Sequence, residues 1–270
     1  MEIGISIFSG ISFEEQVRCF RKFGVDRTFI FSETSEFDRV MRLFQENAII
    51  CETLHAPFDR INDMWSDDET AAEAMLARLM DSVDKCAAYD IPVTIVHLSS
   101  GRPMPEINER GARRFEALFQ YAERKGVTVA LENQRYLENL SFFMERYPSL
   151  GFCWDNGHEY GFTKGIRFMD LFGDRLSALH IHDNRCGDST DDHLLPFDGS
   201  IPFDAVAKSI ADSDFTGTLM LEVGKLVCVD GKQVYEMLTD EQYVERAVAA
   251  AKRLVDMIEA HKKCDRSRGC

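Results

Sequence analysis

The sequence predicts an α/β fold closed as a (β/α)8 TIM barrel, and three observations carry that prediction. The chain has 270 residues, the usual size of one such domain. Short β-branched or aromatic runs alternate with longer segments of helical spacing, eight of each, which is the pattern of a parallel sheet closed through helical crossovers. The turn after the first run reads FSGIS, with a single glycine, where a doubly wound open sheet would carry a glycine-rich phosphate turn.

Taken in order, the expected strands are 2–8, 26–31, 49–55, 92–98, 127–132, 150–155, 176–182 and 217–223. The expected helices lie near 13–23, 36–47, 67–89, 106–125, 138–146, 166–172, 203–212 and 240–262. Helix starts are signed by capping boxes at Ser12 with Glu15, Ser66 with Glu69 and Thr239 with Gln242, pairs that satisfy the orphan N–H groups of a first turn. Gly24, Gly126 and Gly217 stand between a helix and the next strand, where a left-handed residue ends a helix at low cost. In the last helix Val244, Ala247, Val248, Ala251, Leu254, Val255 and Ile258 fall on one face, the stripe a helix lays against a sheet. One domain is expected over 1–262, with a flexible tail over 263–270. The connections 183–202 and 224–238 are longer than plain turns and are expected to belong to the site.

Composition narrows the function classes. Apolar residues make up 45% of the chain and charged residues 29%, ordinary for a globular protein with a sizeable core. The longest apolar runs, such as IPVTIVHL, are too short to span a bilayer. The first residues, MEIGISIF, run straight into a strand without a basic, cleavable leader, so a cytoplasmic protein is expected. Eight scattered cysteines without a CxxC pair read as small buried hydrophobes rather than a disulfide framework. The formal charge of −15 repels a polyanion at long range and argues against nucleic acid as partner.

The chemistry lies at the strand ends. The third strand ends at His55, the fourth at His97, the fifth at Glu132 and the sixth at Asp155. The seventh carries His180 and His182, and the eighth ends near Glu222. In a parallel barrel these ends share one rim, where the active sites of this fold sit. Any one of them alone reads as a loop cap or a hydrogen-bonded surface histidine. Six consecutive strands delivering His, Asp or Glu to one rim is a different matter. Buried carboxylates that converge repel one another at a cost of several kcal/mol or more unless a cation compensates. A mixed imidazole and carboxylate set suits Zn²⁺, Mn²⁺, Co²⁺ or Fe²⁺ better than Ca²⁺. Of His180 and His182 only one need ligate, and His180 aligns better with the rim. Gly157 is expected to turn the chain so that Asp155 and His158 both face the centre. Asp191 and His193 either add a loop-borne carboxylate and imidazole or form a solvated acidic loop.

On these residues the chain resembles the xylose isomerase-like TIM barrels, which include sugar and sugar-phosphate isomerases and epimerases and the endonuclease IV enzymes. The resemblance runs over essentially the whole chain through HAP at 55–57, His97, LEN at 131–133, DNGH at 155–158, HIHDN at 180–184, DDHLLPFDG at 191–199 and LEV at 221–223. In the epimerase branch it implies one metal ion on Glu132, Asp155, His180 and Glu222, with Mn²⁺ or Zn²⁺ foremost and Co²⁺ or Mg²⁺ as further candidates. It also implies Glu132 and Glu222 as acid and base, and His158 and Arg185 on substrate oxygens. In the endonuclease branch it implies three zinc ions on His55, His97, Glu132, Asp155, His158, His180, Asp191, His193 and Glu222. All nine residue types are present here. The acidic balance, and the acidic stretch FDRINDMWSDDE after His55, favour the sugar enzyme.

The expected function is therefore metal-dependent isomerisation or epimerisation of a ketose or related polyol, free or phosphorylated. One rival is a metal-dependent phosphodiester hydrolase at abasic DNA. Another is a barrel that binds a small molecule without catalysis. The helical faces leave room for a homo-oligomer interface.

Overall fold

The computed structural model describes residues 1–163, 165–187 and 190–268, the last five as backbone only. Eight parallel strands alternate with helices: β1 (Ile3–Ile5), β2 (Arg27–Phe31), β3 (Ile50–His55), β4 (Val93–Val96), β5 (Thr128–Glu132), β6 (Gly151–Asp155), β7 (Leu176–His180) and β8 (Leu219–Leu221). They pair in the order β7-β6-β5-β4-β3-β2-β1-β8. Ile181, one residue past β7, bridges to Leu221 in parallel register, with Ile181 N–H on the Met220 carbonyl at 2.9 Å and Glu222 N–H on the Ile181 carbonyl at 3.0 Å. That bridge joins the two ends of the sheet, so the predicted (β/α)8 TIM barrel is the observed fold.

Nine helices surround it among the described residues: α1 (Phe13–Phe23), α2 (Phe37–Glu46), α3 (Glu69–Ala88), α4 (Glu109–Lys125), α5 (Leu137–Met144), α6 (Asn156–Phe162), α7 (Phe168–Phe172), α8 (Phe203–Asp212) and α9 (Asp240–Arg268). The stripe on α9 is buried as read, apart from a partly buried Val255. Its capping box is reciprocal: Gln242 N–H donates to Thr239 Oγ1 at 3.2 Å, and Thr239 N–H to Gln242 Oε1 at 2.9 Å.

Several expectations are corrected. α3 is capped by Asp68, whose carboxylate takes the Ala71 N–H, while Ser66 only braces the Asp68 N–H. Two good capping residues stood two positions apart, and the carboxylate won. Gly24 and Gly126 are left-handed caps at φ 75° and 72°, but Gly217 is not among the positive-φ glycines; a Cβ there would strike the Phe215 ring at 2.5 Å. α6 was not expected at all. Residues 263–268 of the expected tail continue α9, and Gly269 and Cys270 lie outside the described residues. Strands β1, β4 and β8 are shorter than read, so His97 and Glu222 lie just past their strands. Cys19, Cys51, Cys86 and Cys153 are free and buried.

What positions the site is the strand period of two. Ile95, Ala130, Cys153 and Ala178 pack together as an apolar plug inside the barrel. Two residues further along the same strands stand His97, Glu132, Asp155 and His180. Each ligand-type side chain thus occupies the layer directly above a small apolar one, and the plug closes the barrel beneath the site.

Candidate active site and metal centre

Glu132 is the hub. Its Oε2 lies 2.9 Å from His97 Nε2, 3.3 Å from His55 Nε2 and 3.5 Å from His180 Nδ1, and its Oε1 lies 3.2 Å from His158 Nδ1. Glu222 Oε2 approaches the same His180 Nδ1 to 3.2 Å. Glu132, Asp155, His180 and Glu222 each offer a ligand atom, all within 4.8 Å of one another. The four residues read as one metal set are therefore brought together. His55, His97 and Glu132 form a second such group, and His182, Asp191 and His193 a third. The Asp191–His193 loop is thus part of the rim cluster rather than a solvated loop.

His182 was passed over in favour of His180, yet both converge. His182 Nε2 lies 3.2 Å from Asp155 Oδ1 and 3.6 Å from Asp191 Oδ1, and its ring stacks on His193 at 4.2 Å. The signal was in the sequence: two histidines of one strand parity face one way. Gly157 also has a different role from the one expected. It makes no left-handed turn. It lies in the first turn of α6, where a Cβ would stand 1.9 Å from His182 Cε1, so its missing side chain is the space the imidazole fills.

Asp155 serves two purposes. As N-cap of α6 its Oδ1 accepts the His158 N–H at 2.6 Å, and its Oδ2 is buried without a hydrogen-bond partner. His180 Nδ1 and Nε2 and His182 Nε2 are likewise buried without a hydrogen bond. An unsatisfied buried polar atom costs about 1–3 kcal/mol, more when charged, and natural proteins keep few. Asp155 and His180 belong to the four-residue set with Glu132 and Glu222, and buried ring and carboxylate atoms without a partner there are what a divalent cation satisfies, so this donor set fits a metal ion. Cys153 also lies within reach of Glu132 and His180, but burial pushes its thiol up to about 12, so the carboxylates and imidazoles are the better donors.

The orientation of the rings is fixed from behind. His55 Nδ1 bonds the Ala56 carbonyl at 2.7 Å, His158 Nδ1 the Asn133 carbonyl at 3.0 Å, and His193 Nδ1 the Glu222 carbonyl at 3.0 Å. In His55 and His193 the contact commits Nδ1 to the backbone and turns Nε2 toward a carboxylate, Glu132 and Asp191 in turn. His158 Nδ1 lies between the Asn133 carbonyl and Glu132, and its Nε2 faces Asp191 at 3.4 Å. Phenyl rings back four of the imidazoles: Phe29 on His180, Phe31 on His55, Phe58 on His97 and Phe162 on His158, with centroids 4.7–5.0 Å apart. Two asparagines staple the strand ends. Asn133 exchanges two 2.8 Å hydrogen bonds with the backbone of Asp155, and Asn156 exchanges two 3.0 Å bonds with that of His182. Sequence reading quoted LEN and DNGH but gave these asparagines no task.

Burial raises the Glu132 carboxyl, but the His97 and His180 charges outweigh it and hold the carboxyl well below its usual range. Glu222 is lowered in the same way, chiefly by His180. Burial opposes the charge on His193, yet Asp191 beside it raises the imidazole to about 10. Asp191 with His193, and Glu222 with His180, are thus pairs in which anion and imidazole stabilise each other's charge, whereas burial lowers His97 despite Glu132 beside it.

A cavity of about 790 Å³ opens above the cluster. Its floor is His55, His97, Glu132, His158, Asp191, His193 and Glu222, and its walls include Phe8, Phe13, Phe31, Phe58, Phe162 and Leu226. Part of the wall comes from the 224–238 loop. Its small hairpin, β9 (Cys228–Val229) and β10 (Lys232–Gln233), turns at Asp230-Gly231, both at positive φ. Arg185 was expected on substrate oxygens, but it is not among the lining residues. Its guanidinium forks onto Asp192 at 3.0 Å and reaches Asp230 at 2.7 Å, tying the 183–202 loop to the hairpin loop. The cavity-facing arginine is Arg135 instead.

Residues 21–254 match the family model described as xylose isomerase-like TIM barrel. The chain belongs to that family. A curated relative, the uncharacterized protein y4fM of Sinorhizobium fredii (strain NBRC 101917 / NGR234), is 31% identical over 196 residues, covering 67% of this chain and 60% of that protein's length. Among solved structures, D-psicose 3-epimerase with D-tagatose from Clostridium cellulolyticum H10 superposes with a TM-score of 0.77 at 16% identity, over 96% of this chain and 99% of its own. An L-ribulose 3-epimerase gives 0.78 at 14%, over 100% and 99%. The IOLI protein with a binding zinc atom gives 0.72 at 17%, over 97% and 99%. These similarities establish the shared barrel. No helix among the described residues is long and apolar enough to cross a membrane.

Proposed function

We propose that the chain is a metal-dependent sugar isomerase or epimerase acting on a ketose or related polyol. The observation that carries this is the pair Glu132 and Glu222, on strands three apart around the ring, both turned to the same His180 nitrogen at 3.5 and 3.2 Å. The epimerase names of the structural relatives support it. Glu132, Asp155, His180 and Glu222 would hold the ion, Mn²⁺ or Zn²⁺ foremost given the mixed oxygen and nitrogen donors, with Co²⁺ or Mg²⁺ next. When bound, it supplies Lewis acidity toward a sugar carbonyl and the hydroxyl beside it. The chain does the rest. One of Glu132 and Glu222, as the carboxylate, takes the proton from the carbon next to the carbonyl and keeps it. The other, which enters the cycle protonated, delivers its own proton to the opposite face, and the two exchange protons with solvent before the next turnover. His158, fixed by Asn133 and Phe162, orients the sugar hydroxyls. The plug beneath the cluster keeps water from reaching the reacting carbon from below. Action in the cytoplasm and self-association through helical faces belong to the same proposal.

The test is solvent deuterium exchange into a panel of free and phosphorylated ketoses by the metal-loaded chain. Glu132→Gln and Glu222→Gln should each lose exchange by about 10²–10⁴-fold while the protein keeps its fold. Full turnover in both variants would defeat the assignment.

One observation favours the phosphodiesterase reading: besides the four-residue set, His55 with His97 and Glu132, and His182 with Asp191 and His193, also bring ligand atoms together. Metal analysis separates the two. About one ion per chain supports the sugar enzyme, and three support the hydrolase.

A further inference from the structure

Arg135 is the one lysine or arginine among the described residues lining the cavity. Its guanidinium lies flat on the Phe162 ring at 3.5 Å, the same ring that backs His158 from its other contact. That stacking fixes its position at the wall. Its Nη1 is closed off from solvent with no acceptor. Asp191 acts on it through its charge, but that carboxylate pairs with His158, His182 and His193. Arg102, on the loop after β4, adds a second positive charge that acts on it from outside the lining. A guanidinium has five donors in a fork that matches a planar or tetrahedral oxyanion, and among the described residues its Nη1 has no acceptor. Arg135 stands three residues past Glu132, so their Cα atoms are at most about 10 Å apart. Both line the same cavity, so a sugar with one end at Glu132 and the other at the Arg135 wall occupies one continuous space.

We propose that Arg135 anchors an anionic group, a phosphate or a carboxylate, on the end of the sugar distant from Glu132. The substrate is then an acidic sugar rather than a neutral ketose. The inference deepens the epimerase reading and rests on it.

The test uses the full metal-loaded chain and three probes: D-fructose, D-fructose 6-phosphate and D-fructuronate. Solvent deuterium exchange gives kcat/KM for each. The expected result is a preference for one acidic sugar over fructose of roughly ten- to a hundredfold, the worth of hydrogen bonds to a charged group. Arg135→Gln should collapse that preference through KM, and Arg135→Lys should keep part of it. Which acidic sugar is preferred tells phosphate from carboxylate. A wild-type preference of unity, or one that Arg135→Gln leaves intact, overturns the anchor while the epimerase reading stands. If none of the three probes exchanges, the epimerase reading is decided by the wider ketose panel, and calorimetric binding of the two acidic probes decides the anchor separately. Binding lost in Arg135→Gln supports it, and binding absent or unchanged overturns it.

Discussion

Replacing Gly157 by alanine sets a methyl carbon 1.9 Å from His182 Cε1, 2.2 Å from Nε2 and 2.7 Å from Nδ1. Carbon atoms rest about 3.5–4.0 Å apart, so the imidazole must retreat by roughly 1.5–2 Å. It has nowhere to go. The ring is fully buried and already stacked on His193 at 4.2 Å. Overpacking of this kind costs about 1–3 kcal/mol, and the better helix propensity of alanine returns at most about 1 kcal/mol. The net loss of about 1–2 kcal/mol lowers Tm by a few degrees in a chain of this size. Metal affinity is the sharper readout. The retreat parts His182 from Asp155 and Asp191, and displacing such a partner costs about 10–100-fold in metal binding. Calorimetric titration of the apo chain with Mn²⁺ or Zn²⁺ measures it. Gly24→Ala is the control, because its strain at φ 75° lies at the surface, far from any ring. It should lower Tm and leave metal binding alone. A Gly157→Ala protein that melts and binds metal like the parent would refute this account of the glycine.

Saturating metal should stabilise the fold. At about one hundred times its Kd an ion adds about 2.7 kcal/mol, worth roughly 5–10 °C in a chelator-versus-metal melt, and no shift would mean that the orphan atoms around His180 are not a metal site. Thr239→Ala removes half of the reciprocal box on α9 and should cost about 1 kcal/mol, read as a Tm about 2–4 °C lower. Burial raises the carboxyl of Glu159 against the hydrogen bonds it accepts from Trp154 and Phe168 N–H. A raised carboxyl holds its proton more tightly folded than unfolded, so its stabilisation is whole below the ordinary carboxyl range and is lost as pH rises through the folded value. Glu159→Gln keeps both acceptor contacts and should lose less stability than the parent as pH rises out of the ordinary carboxyl range; parallel melting curves would count against this.

The features legible in the sequence are those with short-range periodicity. His55, His97, Glu132, Asp155, His180 and Glu222 could be placed on one rim because each ends an apolar run and a strand repeats every two residues. The last helix was legible because its stripe is long. Helix α6 was not, because its seven residues contain Gly157 and Gly161, poor helix formers, and because its capping residue, Asp155, already read as a ligand. Arg185 was misjudged for another reason. Its partner Asp230 lies 45 residues away, and nothing local announces that pairing. The same holds for the phenyl plates behind the histidines, where Phe29 meets His180 across 151 positions of chain.

The asparagine staples have a consequence for how such a protein changes over time. Asn133 and Asn156 bind main chain to main chain, so the ends of β5, β6 and β7 stay locked in register by contacts that owe nothing to the hairpin loop. The 224–238 segment is fastened differently: Tyr235 is sunk in the core and takes the Leu195 N–H at 2.8 Å, next to the loop that carries Asp191 and His193. A graft that kept Tyr235 and replaced only the hairpin tip at Asp230-Gly231 would alter the mouth and leave the reacting groups where they were.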